Sequence, residues 1–320
     1  MPPRAHRYHD RVADLIIGGS GFVGRNLALR LHQAGREVVV LDRRPDATGS
    51  FTGPFIEADA QDAPTLTEIV AKLRPQAVYH LAANSDISAG IADASLDFGD
   101  TLMTTIAVKA ALERTPVERL MFASSSAIFG VVEGAIGEDP DVVPDPVSWY
   151  GKAKLASEYV LEALSADRPA LPILFVRFPN VVGPLATHGA VHDFVKRLRA
   201  NPHRLDVLGD GHQTKPYVHV AELIDGIRFF ESRLEPGVTR INIGPSDLVD
   251  VRGIVREVCE ALDLDPEVTY QDSPLGWPGD VPRYEFDTST MRREGFSITT
   301  TSREAVRKAA EDLAWEWPAR

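Results

Sequence analysis

Cysteine is almost absent from this chain of 320 residues, and its single occurrence, Cys259, excludes an intramolecular disulfide. A chain without disulfides is typical of the reducing cytoplasm, which we expect as its location. No apolar run reaches the length of a membrane-spanning helix, so we expect no membrane partner. Residues 1–12 lack the apolar centre of a secretory leader, and we interpret them as a disordered tail.

Basic residues are fewer than acidic ones, 34 against 46, which gives a net charge of −12. This balance argues against nucleic acid as a partner, because phosphate backbones are bound by basic surfaces. An anionic small substrate remains compatible with it, provided that a few local cations meet its charge.

A glycine-rich fingerprint stands near the start of the chain. Gly18, Gly21 and Gly24 recur at a spacing of three, after a short apolar run and before an amphipathic stretch. This is the strand–turn–helix context of a dinucleotide-binding motif. It predicts that the backbone around Phe22 and Val23 approaches a pyrophosphate at the N-terminus of a helix.

A second apolar run ends in Asp42, which is placed to bind the hydroxyl groups of the adenosine ribose. Arg43 and Arg44 follow, and they suit the 2′-phosphate of NADP. Since Asp42 would repel that phosphate, we favour NAD as the cofactor and expect Arg43 to lie beside it.

Buried-strand patterns alternate with helical periodicity through about residue 180. The strands are predicted at 14–17, 38–41, 77–81, 119–123 and 173–177, and the helices at 66–73, 101–112 and 150–164. Strands separated by helices predict an α/β fold with a doubly wound parallel (Rossmann) sheet.

Proline and glycine become frequent after Asn180, which indicates a smaller lobe over the edge of the sheet. We predict a dinucleotide-binding domain from residues 13–180 together with about 215–245. The substrate-binding lobe is predicted from about 181–214 and 246–320.

Tyr150 and Lys154 are four residues apart on a predicted helix, so they share one face. A nearby ammonium group and a positive nicotinamide both favour the phenolate, and we therefore expect a lowered pKa for Tyr150. The tyrosine can then act as general base toward a substrate hydroxyl. Ser125, at the end of a predicted strand, is expected to hydrogen-bond the same oxygen. This catalytic set predicts oxidation and reduction at a secondary alcohol.

These motifs resemble the extended short-chain dehydrogenase/reductase family, and specifically its nucleotide-sugar epimerase and dehydratase branch. The segments that carry the resemblance are 17–24, 57–59, 78–83, 124–130, 177–184 and 208–220. It implies contacts of Asp59 and Ala60 with the adenine and of Leu81, Ala82 and Ala83 with the pyrophosphate and ribose. For the sugar nucleotide it implies contacts with Ser126, Asn180, Lys215, Tyr217 and Asp280.

The residues after Ser125 favour one reaction within that branch. Dehydratases of the family carry an acidic pair there, decarboxylases a glutamate and the deoxysugar epimerase/reductases a cysteine, whereas this chain has Ser126 and Ala127. Two short side chains suit a simple 4-epimerase. The alternatives are a nucleotide-4-ketosugar reductase or dehydratase and, from another class, a non-catalytic dinucleotide-binding regulator.

The phosphate-binding positions depart from the family pattern. Lys215 replaces an arginine that grips the diphosphate, and Trp277 stands where a second arginine occurs in the galactose epimerases. We expect Arg283 or Lys196 to supply the missing cation, and a UDP-hexose or UDP-hexuronate as the substrate.

Two further predictions concern His192 and the oligomeric state. His188 and His192 are four residues apart, but no matching ligand set accompanies them, so we predict no metal and assign His192 to a sugar contact or to lobe packing. The family also implies a homodimer in which the helices at 101–112 and 150–164 form a four-helix bundle.

Overall fold

The structure is a computed structural model that describes residues 13–131, 134–137, 144–276, 281 and 283–316. The predicted tail at 1–12 lies outside these residues, as do Trp277 and Asp280. The strands are β1 (Asp14–Ile17), β2 (Val38–Asp42), β3 (Phe55–Glu57), β4 (Ala77–His80), β5 (Arg119–Ala123), β6 (Ala135–Ile136), β7 (Pro172–Arg177), β8 (Asn180–Val182), β9 (Arg204–Val207), β10 (Thr214–Lys215), β11 (Tyr217–His219), β12 (Gly237–Asn242), β13 (Val249–Asp250), β14 (Glu267–Tyr270) and β15 (Glu285–Phe286).

The helices complete the described architecture. They are α1 (Phe22–Gln33), α2 (Ala63–Leu73), α3 (Ile87–Ala92), α4 (Ala94–Asp97), α5 (Thr104–Arg114), α6 (Trp149–Asp167), α7 (Ala190–Ala200), α8 (Val220–Glu231), α9 (Val251–Leu262), α10 (Ser289–Arg293) and α11 (Ser302–Glu316). A π-helical turn, Phe98–Met103, leads into α5, and a 3₁₀ turn, Ser126–Ile128, follows β5. No described helix has the length and apolar character needed to cross a membrane.

Seven parallel strands form the central sheet in the order β12-β7-β5-β4-β1-β2-β3. This confirms the predicted doubly wound α/β fold, and it adds β3 and β12 at the two edges. The strand order reverses between β1 and β4, which is where open sheets of this kind bind ligands.

Alternate residues of each strand pack on opposite faces of the sheet. Leu15 and Ile17 belong to the core on one face, and Ile16 belongs to the core on the other. A third apolar core contains Val195, Ile254 and other residues from the segments 182–217, 249–270 and 305–313. On this basis we propose that these segments form the predicted substrate-binding lobe.

Candidate functional site

A cavity of about 1390 Å³ opens at the carboxyl ends of the central strands. It extends from the end of β2, past the glycine turn and the start of α6, to α7 and β10. The predicted site residues that line it are Gly18, Gly21, Phe22, Val23, Asp42, Arg43, Asp59, Ala60, Leu81, Ala82, Ala83, Ser125, Ser126, Tyr150, Lys154, Asn180, His192, Lys215 and Tyr217. The lining therefore brings together the predicted cofactor positions, which form the cofactor wall, and the predicted substrate positions, which form the substrate side.

The glycine turn lies close against neighbouring backbone. Gly18 has a φ of +81°, and a Cβ placed on it would lie 2.5 Å from the backbone nitrogen of Ala82. A Cβ on Gly24 would lie 2.6 Å from the carbonyl oxygen of Gly18. The helix α1 starts from Gly21, which offers no side chain to cap its first N–H groups. Those uncapped groups line the cavity, as a pyrophosphate site requires.

The carboxylate of Asp42 is fixed by the backbone around it. One oxygen accepts a hydrogen bond from the backbone nitrogen of Ser20 at 3.0 Å, and the other accepts from that of Arg43 at 2.7 Å. Its remaining lone pairs can accept hydrogen bonds from ribose hydroxyls. The guanidinium of Arg43 forms a 2.8 Å ion pair with Asp100, which places a second acid near any 2′-phosphate.

The residues around Tyr150 hold it against the serine loop, residues 124–130, which follows β5. The side chain of Ser148 caps α6 by accepting a hydrogen bond from the backbone nitrogen of Gly151 at 3.0 Å. A Cβ on Gly151 would lie 2.3 Å from the carbonyl oxygen of Ala127, so only glycine allows the helix to pack this closely. The phenol of Tyr150 consequently forms a hydrogen bond with Ser125.

The charge state of Tyr150 differs from our prediction. Burial raises its pKa to about 12, the hydrogen bond with Ser125 offsets only part of that rise, and the nearby Asp97 adds to it. Lys154 does not contribute to this shift, and the cost of removing the phenolate from water outweighs the hydrogen bond with Ser125, whereas the predicted lowering by a bound nicotinamide stays a prediction. Burial also lowers the pKa of Lys154 to about 7, although the nearby Glu158 raises it.

Lys154 belongs to a buried polar cluster behind the cavity. Its Nζ donates a hydrogen bond to the carbonyl oxygen of Ala123 at 2.6 Å. On the next turn of α6, Glu158 accepts two hydrogen bonds from Arg177, at 3.0 and 2.6 Å, and one from the hydroxyl of Ser124. Glu158 therefore ties α6, which carries Tyr150 and Lys154, to Ser124 beside the catalytic Ser125 and to the end of β7.

His80 is fully buried at the end of β4, where its Nε2 lies 2.8 Å from the hydroxyl of Thr105. Burial, followed by the charge of Lys154, lowers its pKa to about 3. Below pH ~6.5 this histidine is protonated in the unfolded chain but stays neutral in the folded chain. The free energy of unfolding therefore falls as the pH falls. From pH 7.5 to 5 this linkage costs about 2 kcal/mol of unfolding free energy.

We expect His80→Gln to abolish that part of the acid sensitivity. Urea unfolding at pH 7.5 and at pH 5 measures it, with the wild-type chain losing about 2 kcal/mol more than the variant between the two conditions. Equal losses in both proteins would contradict a neutral buried imidazole.

Tyr284 and Arg197 line the cavity but were not singled out from the sequence. The hydroxyl of Tyr284 lies 3.3 Å from both the side-chain oxygen of Ser126 and the side-chain nitrogen of Asn180. Arg197, on α7, lines the opposite part of the cavity and hydrogen-bonds the carbonyl oxygen of Asp206. Helical periodicity places Arg197 on the same side of α7 as Asp193, but no local signal in the sequence marks Tyr284.

The two cations predicted to replace the missing arginine do not line this cavity. Arg283 is exposed and pairs with Glu285 at 2.6 Å, and Lys196 is not part of the cavity wall. Among the residues that the structure describes, Lys215 and Arg197 are cations that line the substrate side of the cavity. His192 is buried there, with its Nδ1 3.5 Å from Asp193.

Known proteins resemble the chain over nearly its whole length. A model of the NAD dependent epimerase/dehydratase family matches residues 15–244. The crystal structure of a UDP-galactose 4-epimerase is 31% identical and covers 95% of this chain and 99% of its own, with a TM-score of 0.81. The protein MoeE5, solved with UDP-glucose and NAD, is 28% identical over 95% of this chain and 99% of its own, with a TM-score of 0.84. It has also been solved with UDP-glucuronic acid and NAD.

A relative found by sequence is similar to the chain over the same length. The UDP-glucose 4-epimerase of Mycolicibacterium smegmatis is 26% identical, and the match covers 93% of this chain and 97% of that protein.

Proposed function

Because the chain belongs to the NAD-dependent epimerase/dehydratase family, we propose that it is a 4-epimerase of nucleotide sugars with NAD as a retained cofactor. The observation that carries this proposal is the hydrogen-bonded pair of Tyr150 and Ser125, which lines the same cavity as the predicted cofactor and substrate positions. UDP-hexoses and UDP-hexuronates are the proposed substrates, since the similar protein MoeE5 has been solved with UDP-glucose and with UDP-glucuronic acid.

The residues of the cofactor wall fit NAD. The uncapped N–H groups at the start of α1 suit the pyrophosphate, and Asp42 suits the adenosine ribose. Asp42 and Asp100 flank Arg43 and disfavour the extra phosphate of NADP. When bound, NAD supplies the oxidant for the sugar alcohol and a positive charge that favours the phenolate of Tyr150.

The proton chemistry is assigned to Tyr150 and Ser125. Tyr150 removes the proton of the C4 hydroxyl when the sugar is oxidised and returns it when the ketone is reduced. Ser125 hydrogen-bonds the same oxygen and holds it next to the phenol. Lys154, fixed by the carbonyl oxygen of Ala123, keeps a titrating ammonium behind the tyrosine.

The side chains beyond the pair favour epimerisation over elimination. Ser126 and Ala127 follow Ser125, and neither can protonate a departing hydroxyl group. Lys215 and Arg197 suit the diphosphate of the substrate, and Tyr284 and Asn180 suit the hydroxyl groups of the sugar. Anchoring at the diphosphate leaves the keto sugar free to turn and present its other face.

The test is proton NMR of the anomeric signals after mixing the protein with a panel of UDP- and GDP-sugars, without added reductant. We expect a new anomeric signal from the C4 epimer, in equilibrium with its parent sugar. No change across the panel would overturn the proposal and favour a reductase that requires a 4-keto substrate.

We further propose that the protein is a homodimer through α5 and α6. Large apolar side chains lie exposed around these helices: Phe98, Met103, Ile106 and Trp149. An apolar surface of this kind is typical of an interface between subunits.

We expect Ile106→Glu to convert the dimer to a monomer, because it places a charge on that surface. Trp315→Glu is the matched control, since Trp315 is 86% exposed on α11, away from α5 and α6. Sedimentation velocity at micromolar concentration measures both variants. A monomeric wild-type protein, or an unchanged dimer in Ile106→Glu, would contradict this interface.

A further inference from the structure

Arg25 is a buried cation in the wall of the cavity that sequence reasoning did not single out. It lies in the first turns of α1, directly after the glycine turn, and its side chain is 5% exposed. One terminal nitrogen forms an ion pair with Asp46 at 3.0 Å and a hydrogen bond with the hydroxyl of Thr48 at 3.2 Å. The other terminal nitrogen donates to the carbonyl oxygen of Leu185 at 2.7 Å.

These contacts join two segments that lie far apart in the sequence. Residues 44–47 follow β2 and line the cofactor side of the cavity, whereas residues 186–193 follow Leu185 and line the substrate side. Asn26 supports the same junction, because its side-chain nitrogen donates to the carbonyl oxygen of Pro184 at 3.0 Å. The backbone nitrogen of Leu185 in turn donates to Glu316, at the end of α11, at 2.8 Å.

The ion pair is held in its charged form. Burial alone would raise the pKa of Asp46, but hydrogen bonds from Ser50 and Thr48 outweigh burial and bring the pKa well below its usual range. Asp46 is therefore a carboxylate beside Arg25 at neutral pH. A buried, charge-assisted contact of this kind is stronger than a neutral hydrogen bond.

Arg25 also retains an unused donor. Its Nε is buried and has no hydrogen-bond partner within the described parts of the chain. Arg25 is therefore held through its two terminal nitrogens, which are the atoms that join the two segments.

We propose that Arg25 slows the release of the bound dinucleotide. By bridging Asp46 and Leu185 it joins the cofactor-side segment to the segment that leads into the substrate lobe. Release of the cofactor then requires these contacts to break. The inference rests on the proposed function, because an epimerase reuses one retained NAD whereas a reductase must exchange its cofactor in every cycle.

The test compares Arg25→Met and Asp46→Asn with the wild-type protein and with Arg30→Met. Arg30 is the matched control, since it lies on the same helix but is exposed and pairs with Asp225. Each protein is loaded with NAD, passed through a desalting column, and assayed for retained NAD by chromatography after heat release. The rate of NAD loss is followed by trapping the released NAD with an excess of an NAD-consuming dehydrogenase and its substrate.

We expect wild type and Arg30→Met to retain about one equivalent, and Arg25→Met to lose NAD about 10- to 100-fold faster. Asp46→Asn keeps the size of the side chain, so it should fold normally and lose NAD at an intermediate rate. The proposed role of Arg25 would be overturned if Arg25→Met and Asp46→Asn retained NAD as well as the wild type does. A wild-type protein that holds no NAD would overturn it too. The readout is cofactor content, so it tests the role of Arg25 without turnover. A wild-type protein that retains NAD but epimerises nothing would therefore refute the proposed function, and the comparison of the variants would still decide the role of Arg25.

Discussion

Tyr150→Phe is expected to lower turnover by about 10²–10⁴-fold while leaving NAD bound and the fold intact. The substitution removes only the hydroxyl that hydrogen-bonds Ser125, and it keeps the ring in its place on α6. Turnover of the sugar nucleotide, retained NAD and the thermal midpoint are the three readouts. Only the first should change.

Tyr159→Phe is the matched control, because Tyr159 lies on the same helix but is 58% exposed and outside the cavity wall. It should leave turnover within about twofold of the wild type, as expected for a surface substitution. A Tyr150→Phe variant that works within tenfold of the wild type would refute the assignment of Tyr150 as the proton-transfer residue.

Gly18→Ala is expected to abolish NAD binding and to destabilise the protein by about 3 kcal/mol or more. Gly18 has a φ of +81°, and a Cβ would overlap the backbone of Ala82 at 2.5 Å. The turn would have to move away from the end of β4, which would displace the backbone N–H groups proposed to bind the pyrophosphate.

Gly35→Ala isolates the conformational part of that effect. Gly35 has almost the same φ, +80°, but no atom lies within 4 Å of its potential Cβ. Gly35→Ala should lower the free energy of unfolding by about 1–2 kcal/mol, because of the left-handed backbone alone, and it should leave NAD binding unchanged. Thermal unfolding and NAD titration of the two variants measure the difference. Equal effects in both would contradict close backbone packing as the role of Gly18.

Features encoded by neighbouring residues could be predicted from the sequence. The glycine turn and its helix follow from the spacing of Gly18, Gly21 and Gly24, and the shared face of Tyr150 and Lys154 follows from the helical repeat. The parallel sheet follows from buried strands that alternate with helices. Each of these signals needs only a short window of sequence.

Features that depend on distant segments could not be predicted in the same way. Tyr284 reaches Ser126 and Asn180 only after β15 pairs with β6, and Arg25 meets Leu185 only after the chain has completed most of the sheet. The pKa of Tyr150 was mispredicted for the same reason, because burial is a property of the folded chain. Spacing alone does not report it.

In the proposed reaction one hydrogen leaves C4 of the sugar and returns to the same carbon on the opposite face. The most direct measurement uses the sugar nucleotide that turns over in the NMR panel, deuterated at C4, in ordinary water with an excess of unlabelled NADH. We expect the C4 epimer to retain deuterium at C4, because the cofactor stays bound throughout. Protium at C4 of the product would contradict it, since the hydrogen would then have come from water or from exchanged cofactor.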